Sequence, residues 1–123
     1  MSIPVELPAL AATIVEYGGA AFLLTTGDDG RAHVAHVPTS WRGDRLVVDA
    51  GRSSRRNATA RPATVLLFPP VVVGGYSLIV DVLAEVTDDD LLLAPQRAVL
   101  HRPAPNPVDP AAPGACEQDC RPV

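Results

Sequence analysis

Residues 45–62 read RLVVDAGRSSRRNATARP and change character within a few positions. Leu46-Val47-Val48 is an apolar strand, which breaks at Gly51. A cluster of small hydroxyls and guanidinium groups follows: Arg52, Ser53, Ser54, Arg55, Arg56 and Asn57. The chain carries a formal net charge of −4, yet three of its ten basic residues fall within 52–56. A strand running through a glycine into Ser/Arg donors and a short helix makes a chemically sound phosphate cradle. Backbone N–H groups at a helix start favour anions, and arginine forks match phosphate oxygens in pairs. Positive charge at a helix start opposes the macrodipole unless an anion sits there. On spacing alone a basic, solvated helix N-terminus is the alternative, and both readings stay open at this point.

Composition narrows the rest. A chain of 123 residues makes one domain, and a hydrophobic content of 47% points to a globular fold. No apolar run approaches the roughly 20 residues needed to span a bilayer. The opening MSIPVELPAL has no basic region ahead of an apolar core, so a cytoplasmic protein without a secretory signal is expected. The acidic balance argues against nucleic acid as a partner. All ten basic residues are arginine. With no lysine, Schiff-base chemistry and covalent pyridoxal phosphate catalysis are excluded, as is a Walker-type loop. Any phosphate must be held by arginines, hydroxyls and backbone.

Along the chain, residues 8–17 predict a short helix, with Pro8 at its first position and Leu10, Ala11, Ile14 and Tyr17 at helical spacing. Gly18-Gly19 ends it. The strand AAFLLTTG, the turn Asp28-Asp29-Gly30 and the strand RAHVAHVPTSW form a hairpin, and the tight turn Gly43-Asp44 leads into a third strand. Beyond the basic helix and Pro62, ATVLLF is a fourth strand. YSLIVDVLAEV is a fifth and has the cleanest alternation. Tyr76, Leu78, Val80, Val82, Ala84 and Val86 face a core, while Ser77, Ile79, Asp81, Leu83 and Glu85 face outward. Ile79 and Leu83 among acids suit a partner surface. Asp88-Asp89-Asp90 reads as a solvated hairpin tip, and LLLAPQRAVL returns as a sixth strand, because Pro95 would interrupt a helix. The expected fold is mainly β: a six-stranded antiparallel barrel with one N-terminal helix and a short crossover helix, closed because closure removes exposed edges. It occupies residues 1–102, and a Pro/Ala-rich tail occupies 103–123.

The order of these features resembles the flavin-binding split barrels related to pyridoxamine 5′-phosphate oxidase. The resemblance covers most of residues 7–102. It rests on the hairpin FLLTTGDDGRAHVAHVP with Pro38 on its second strand. The more specific match is LVVDAG followed by RSSRRNATARPATVLL, a strand, a Ser/Arg turn, an Asn and a Pro-x-x-Val. The ending RAVLHRPAP with a late Cys-x-x-x-Cys, and the all-arginine composition, are similar to small actinobacterial members. The resemblance implies a homodimer with FMN, or alternatively a deazaflavin coenzyme, at the subunit interface. Ser53, Ser54, Arg55 and Arg56 would grip the phosphate. The ring would lie against Val48, Asp49 and Ala50, with Pro38 and Thr39 nearby, and Ile79 and Leu83 would sit on the dimer face. The Pro-rich tail lacks the basic and aromatic C-terminal signature of pyridoxamine phosphate oxidases, which speaks against that reaction.

His33 and His36 lie three apart on one strand and so point to opposite faces. His33 reads as a surface residue. His36 shares a face with Val34 and Pro38, where it is a structural histidine or approaches the ring. His101 stands where the last strand gives way to the tail. Cys116 and Cys120 are the only cysteines; their spacing with a histidine is no strong zinc pattern, and no metal is expected. Trp41 is core or interface area. No side chain stands out as acid, base or nucleophile, so no catalytic residue is assigned. That absence suits a cofactor that carries its own chemistry. The expected activity is an oxidoreductase moving a hydride between the flavin-type cofactor and a small organic substrate; the alternative is a non-catalytic carrier or sensor of flavin, deazaflavin or haem.

Overall fold

The structure is a computed structural model that describes residues 1–104. The elements are β1 (Ser2–Val5), a 3-10 turn (Leu7–Ala9) leading into α1 (Leu10–Glu16), β2 (Ala20–Thr26), β3 (Ala32–Arg42), β4 (Arg45–Val48), α2 (Arg52–Ala60), β5 (Ala63–Phe68), β6 (Ser77–Val86) and β7 (Leu91–His101). The strands lie in the order β1-β7-β4-β3-β2-β5-β6, and β7 also pairs with β6. That last pairing closes a ring of six antiparallel strands, β2 to β7. The six-stranded barrel expected from the sequence is present, with α1 before it and α2 crossing from β4 to β5.

The turns follow local chemistry. Gly18 and Gly19, at φ 81° and 80°, let the chain reverse from α1 into β2, a conformation that side-chain-bearing residues adopt at a cost. Gly43, at φ 63°, opens the two-residue turn between Arg42 and Arg45, which pair across the hairpin. Inside the ring, alternate residues of each strand interdigitate. Leu23, Leu46, Leu66, Phe68, Leu78, Val80, Leu91 and Leu93 are fully buried, each contributing about 1.5–3 kcal/mol of transfer free energy. The alternation read along β6 holds: Leu78, Val80 and Val82 are buried, while Ile79, Asp81 and Leu83 point outward.

Two expectations need correction. A seventh strand, β1, pairs Ser2–Val5 with Ala98–His101 of β7. It was not foreseen, because four largely exposed residues containing Pro4 carry no alternation to read. Proline is tolerated there because β1 is an edge strand, where a missing N–H costs no ladder bond. The helix expected over 8–17 begins as a 3-10 turn, so its regular part is only Leu10–Glu16. Pro95 does lie in a strand. The register jumps from Asp81↔Arg97 to Val82↔Pro95, so Gln96 is left without a partner and forms a bulge. The expected tail from Pro103 onward, with Cys116 and Cys120, falls from residue 105 outside the described residues.

Candidate functional site

α2 follows β4 after three residues and crosses the barrel end, packing on β2, β3 and β6. Its first turn has no side-chain cap: Gly51 stands at the N-cap in extended conformation, and its carbonyl accepts the Arg55 N–H at 3.1 Å. The N–H groups of Arg52, Ser53 and Ser54 are therefore without a cap and available to an anion. The buried side of α2 carries Ser54, Asn57 and Ala58.

Between α2 and the β2–β3 hairpin lies a polar cavity of about 430 Å³. Ser53, Arg56 and Asn57 line it from the helix; Gly27, Asp28, Asp29, Arg31, Ala32 and His33 line it from the hairpin. Gly27 leaves room within the hairpin turn, since a Cβ there would sit 3.1 Å from Asp29 Oδ1, while Asn57 Nδ2 on the helix, at 3.9 Å, would be at ordinary contact distance. Asn57 donates from Nδ2 to Thr25 Oγ1 at 3.1 Å, which ties the helix to β2. Arg61, at the end of α2, donates to Thr26 O at 2.8 Å and to Asp28 Oδ1 at 2.5 Å. The hydrogen bond and charge of Arg61, with a further contribution from Arg56, hold the Asp28 carboxyl below the usual carboxylate range. Asp29 Oδ1 accepts the Arg31 backbone N–H at 3.0 Å. Both acids thus have partners, whereas Arg31 and Arg56 form no ion pair among the described residues.

Of the four residues expected to grip phosphate, the structure brings Ser53 and Arg56 to this cavity. Ser54 turns inward; it is 1% exposed, and its Oγ has no hydrogen-bond partner among the described residues. Arg55 reaches to the far side and donates to the carbonyl oxygens of Thr87 and Asp88. The residues expected beside a ring lie together at the other end of β3. Thr39 pairs with Val48, and its N–H and hydroxyl both donate to Gly19 O, at 2.8 and 2.5 Å. Val48 and Ala50 bury their side chains, so they can offer only backbone; Asp49 and Pro38 are exposed. Beyond the end of β4, Asp49 and Ala50 make no backbone hydrogen bond among the described residues.

His33 was expected at the surface but is half-buried in the wall of the polar cavity. His36 is exposed and stacks on Phe22, its partner across β2 and β3, with ring centroids 4.6 Å apart. His101 Nδ1 lies 3.1 Å from Ser2 Oγ, joining β7 to β1. Trp41 is part-exposed and stands between two apolar hollows, of about 450 Å³ beside Leu7, Leu10 and Pro95 and about 340 Å³ beside Ile14, Val15 and Thr39. Beyond Ser53 and Arg56, the sequence assigned none of the cavity residues: not Asn57 on the helix, nor Gly27, Asp28, Asp29, Arg31, Ala32 and His33 on the hairpin. Asn57 stood in the Ser/Arg run, and the structure places it on the buried side of α2. Nothing local in the sequence brings a hairpin tip onto a helix some 20 residues later. Among the described residues no group of three His, Cys, Asp or Glu side chains is placed to hold a metal ion.

A six-stranded antiparallel ring with a crossover helix after its third ring strand is the split barrel of the pyridoxamine 5′-phosphate oxidase-like proteins. Solved structures agree on the fold. A protein from Listeria innocua, provisionally assigned as a pyridoxamine 5′-phosphate oxidase, superposes with a TM-score of 0.63 at 15% identity, covering 77% of this chain and 98% of that one. An F420 reductase matches with a TM-score of 0.52 at 19% identity, over 75% and 92%. A FAD-binding protein from Mesorhizobium loti matches with 0.58 at 13%, over 83% and 98%. No family model matches the sequence. Two uncharacterized proteins, Mb0449c of Mycobacterium bovis and MT0457 of Mycobacterium tuberculosis, are each 38% identical over 133 aligned positions, spanning 94% of this chain and 92% of theirs. The chain belongs to one family with these mycobacterial proteins.

Proposed function

We propose that the chain forms a homodimer that binds a flavin-type cofactor, FMN or alternatively a deazaflavin coenzyme, and acts as an oxidoreductase on a small organic substrate. The observation that carries this reading is the placement of Ser53 and Arg56 on one polar cavity beside the uncapped start of α2. The donor set suits a phosphate: a guanidinium without a carboxylate partner among the described residues, a hydroxyl, and helix N–H groups. The ring end suits it too, with unpaired backbone at Asp49 and Ala50 next to Pro38 and Thr39. When bound, the ring supplies the hydride chemistry, and the protein supplies position and electrostatics. The F420 reductase and the FAD-binding protein of the same fold support a flavin-type ligand.

The homodimer is supported by the outer face of the barrel. Phe22, Leu67, Ile79 and Val99 are aligned across β2, β5, β6 and β7 and remain half-buried, with Leu24 and Val65 in the next row. A sheet face of that composition favours a covering partner. Stopped-flow mixing of the protein with reduced FMN or reduced deazaflavin and a panel of small acceptors tests the activity. Protein-dependent oxidation of the cofactor coupled to acceptor reduction is expected. Tight binding with no acceptor reduced would make the protein a carrier.

A further inference from the structure

We propose that Arg31, on the β2–β3 hairpin, is the second guanidinium of the phosphate site and closes with Arg56 on one phosphate group from opposite walls of the cavity. This rests on the cofactor reading above and deepens it by naming the residue that completes the grip. Arg31 and Arg56 approach the same cavity from elements far apart in sequence. Neither forms an ion pair among the described residues, although two carboxylates share that cavity. Asp28 is held by Arg61, and Asp29 accepts the backbone N–H of Arg31. Two like charges facing one space favour an anion between them, beyond the partial offset that Asp28 gives Arg56. A third feature also points to a ligand: Asn57, 2% exposed, stands in the cavity wall with its Oδ1 lacking a hydrogen-bond partner among the described residues, an acceptor that fits a hydroxyl of the ligand and not the phosphate oxygens themselves.

The charge balance favours an anion. Arg31 and Arg56 line the cavity with Asp28 and Asp29, and Arg61 pairs with Asp28 from its edge, so the group as a whole has an excess of one positive charge and favours an anion over a neutral or cationic ligand. Bidentate capture by two planar forks also explains why an arginine-only chain can do without lysine here. Arg55 has no part in it, since it does not line the cavity and its Nη2 is directed to the Thr87 and Asp88 carbonyls.

Two measurements test this. In the first, the arginine Nε–Hε resonances of the wild-type protein are followed while inorganic phosphate is added at constant ionic strength. Arg31 and Arg56 are expected to shift together with one dissociation constant, while Arg55 stays fixed. An unmoved Arg31 overturns the proposal. In the second, FMN and riboflavin, which lacks the phosphate, are titrated by fluorescence. Arg31→Gln should weaken FMN binding about tenfold to a hundredfold, as expected for a lost charge-assisted hydrogen bond, and leave riboflavin affinity unchanged. Equal FMN affinity in Arg31→Gln, with a loss in Arg56→Gln, overturns the role of Arg31 and leaves the cofactor reading standing. If the wild type binds neither FMN nor the deazaflavin coenzyme yet Arg31 and Arg56 shift with phosphate, the cofactor reading falls and the two-arginine site stands.

Discussion

The guanidinium of Arg55 donates to the carbonyl oxygen of Thr87, tying the middle of α2 to the turn between β6 and β7. A second bond, to Asp88 O at 3.3 Å, comes from the same nitrogen. The sequence offers Arg55 and Arg56 as equals, but the helix turns them 100° apart, so one becomes a strap and the other reaches the cavity. Arg55→Ala should therefore destabilise the fold by about 1.5–3 kcal/mol, the range for a hydrogen bond from a charged group. Urea denaturation measures this. A loss of cofactor affinity larger than that of Arg56→Ala, with stability unchanged, would reverse the assignment.

Asn57 and Thr25 bond to each other and are each 2% exposed. Asn57→Ala leaves the Thr25 hydroxyl buried and unpaired, so about 1–3 kcal/mol of stability should be lost. Thr25→Val in the same chain removes the stranded hydroxyl, so the double variant should lose less than the two single losses combined. Strict additivity in thermal or urea unfolding would show that the bond does not couple α2 to β2.

The barrel itself was legible because its signals are local. Hairpins announce themselves at Asp29-Gly30 and Gly43-Asp44, and Leu78, Val80 and Val82 alternate as a buried strand must. β1 was not legible, because Ser2–Val5 is held only by the far end of β7, nearly a hundred residues later in the chain. At the candidate site the same division holds. The Ser/Arg cluster marks an anion-suited helix start, but which of its side chains faces the hairpin depends on the buried side of α2, set by Ser54, Asn57 and Ala58. The contribution of Arg31 and His33 depends on how β2 and β3 pack beneath that helix, which no short-range pattern encodes.

Arg61 holds the carboxyl of Asp28 below its ordinary range. A carboxylate with a depressed folded pKa contributes stability above its unfolded pKa, and that contribution is lost as pH falls through the folded value. Asp28 is fully exposed, so the expected signature is in the titration and not in a large stability change. By carbon-detected NMR, the Asp28 carboxyl should titrate lower in the wild type than in Arg61→Ala. Identical midpoints would show that the pair is not formed in solution.

The outer face built on Phe22, Leu67 and Ile79 gives a prediction for assembly. On it Asp81 and Arg97 are direct cross-strand neighbours, yet they make no ion pair with each other. Leu67→Glu places a charge at the centre of this face and should convert a dimer to a monomer in sedimentation at micromolar concentration, with the barrel intact by circular dichroism. A wild-type monomer under the same conditions would count against the proposed dimer, and an unaffected dimer in Leu67→Glu would place its interface elsewhere.

The central claim is that the cavity beside α2 holds the phosphate of a flavin-type cofactor. Titration of FMN, and separately of the deazaflavin coenzyme, into the wild type and into Ser53→Ala/Arg56→Ala tests it most directly. The account predicts saturable binding of one of the two at one cofactor per protomer, weakened by about 2–5 kcal/mol in the double variant, as for removal of a desolvated charge partner. Equal affinity in the two proteins, or no binding of either cofactor by the wild type, would contradict it.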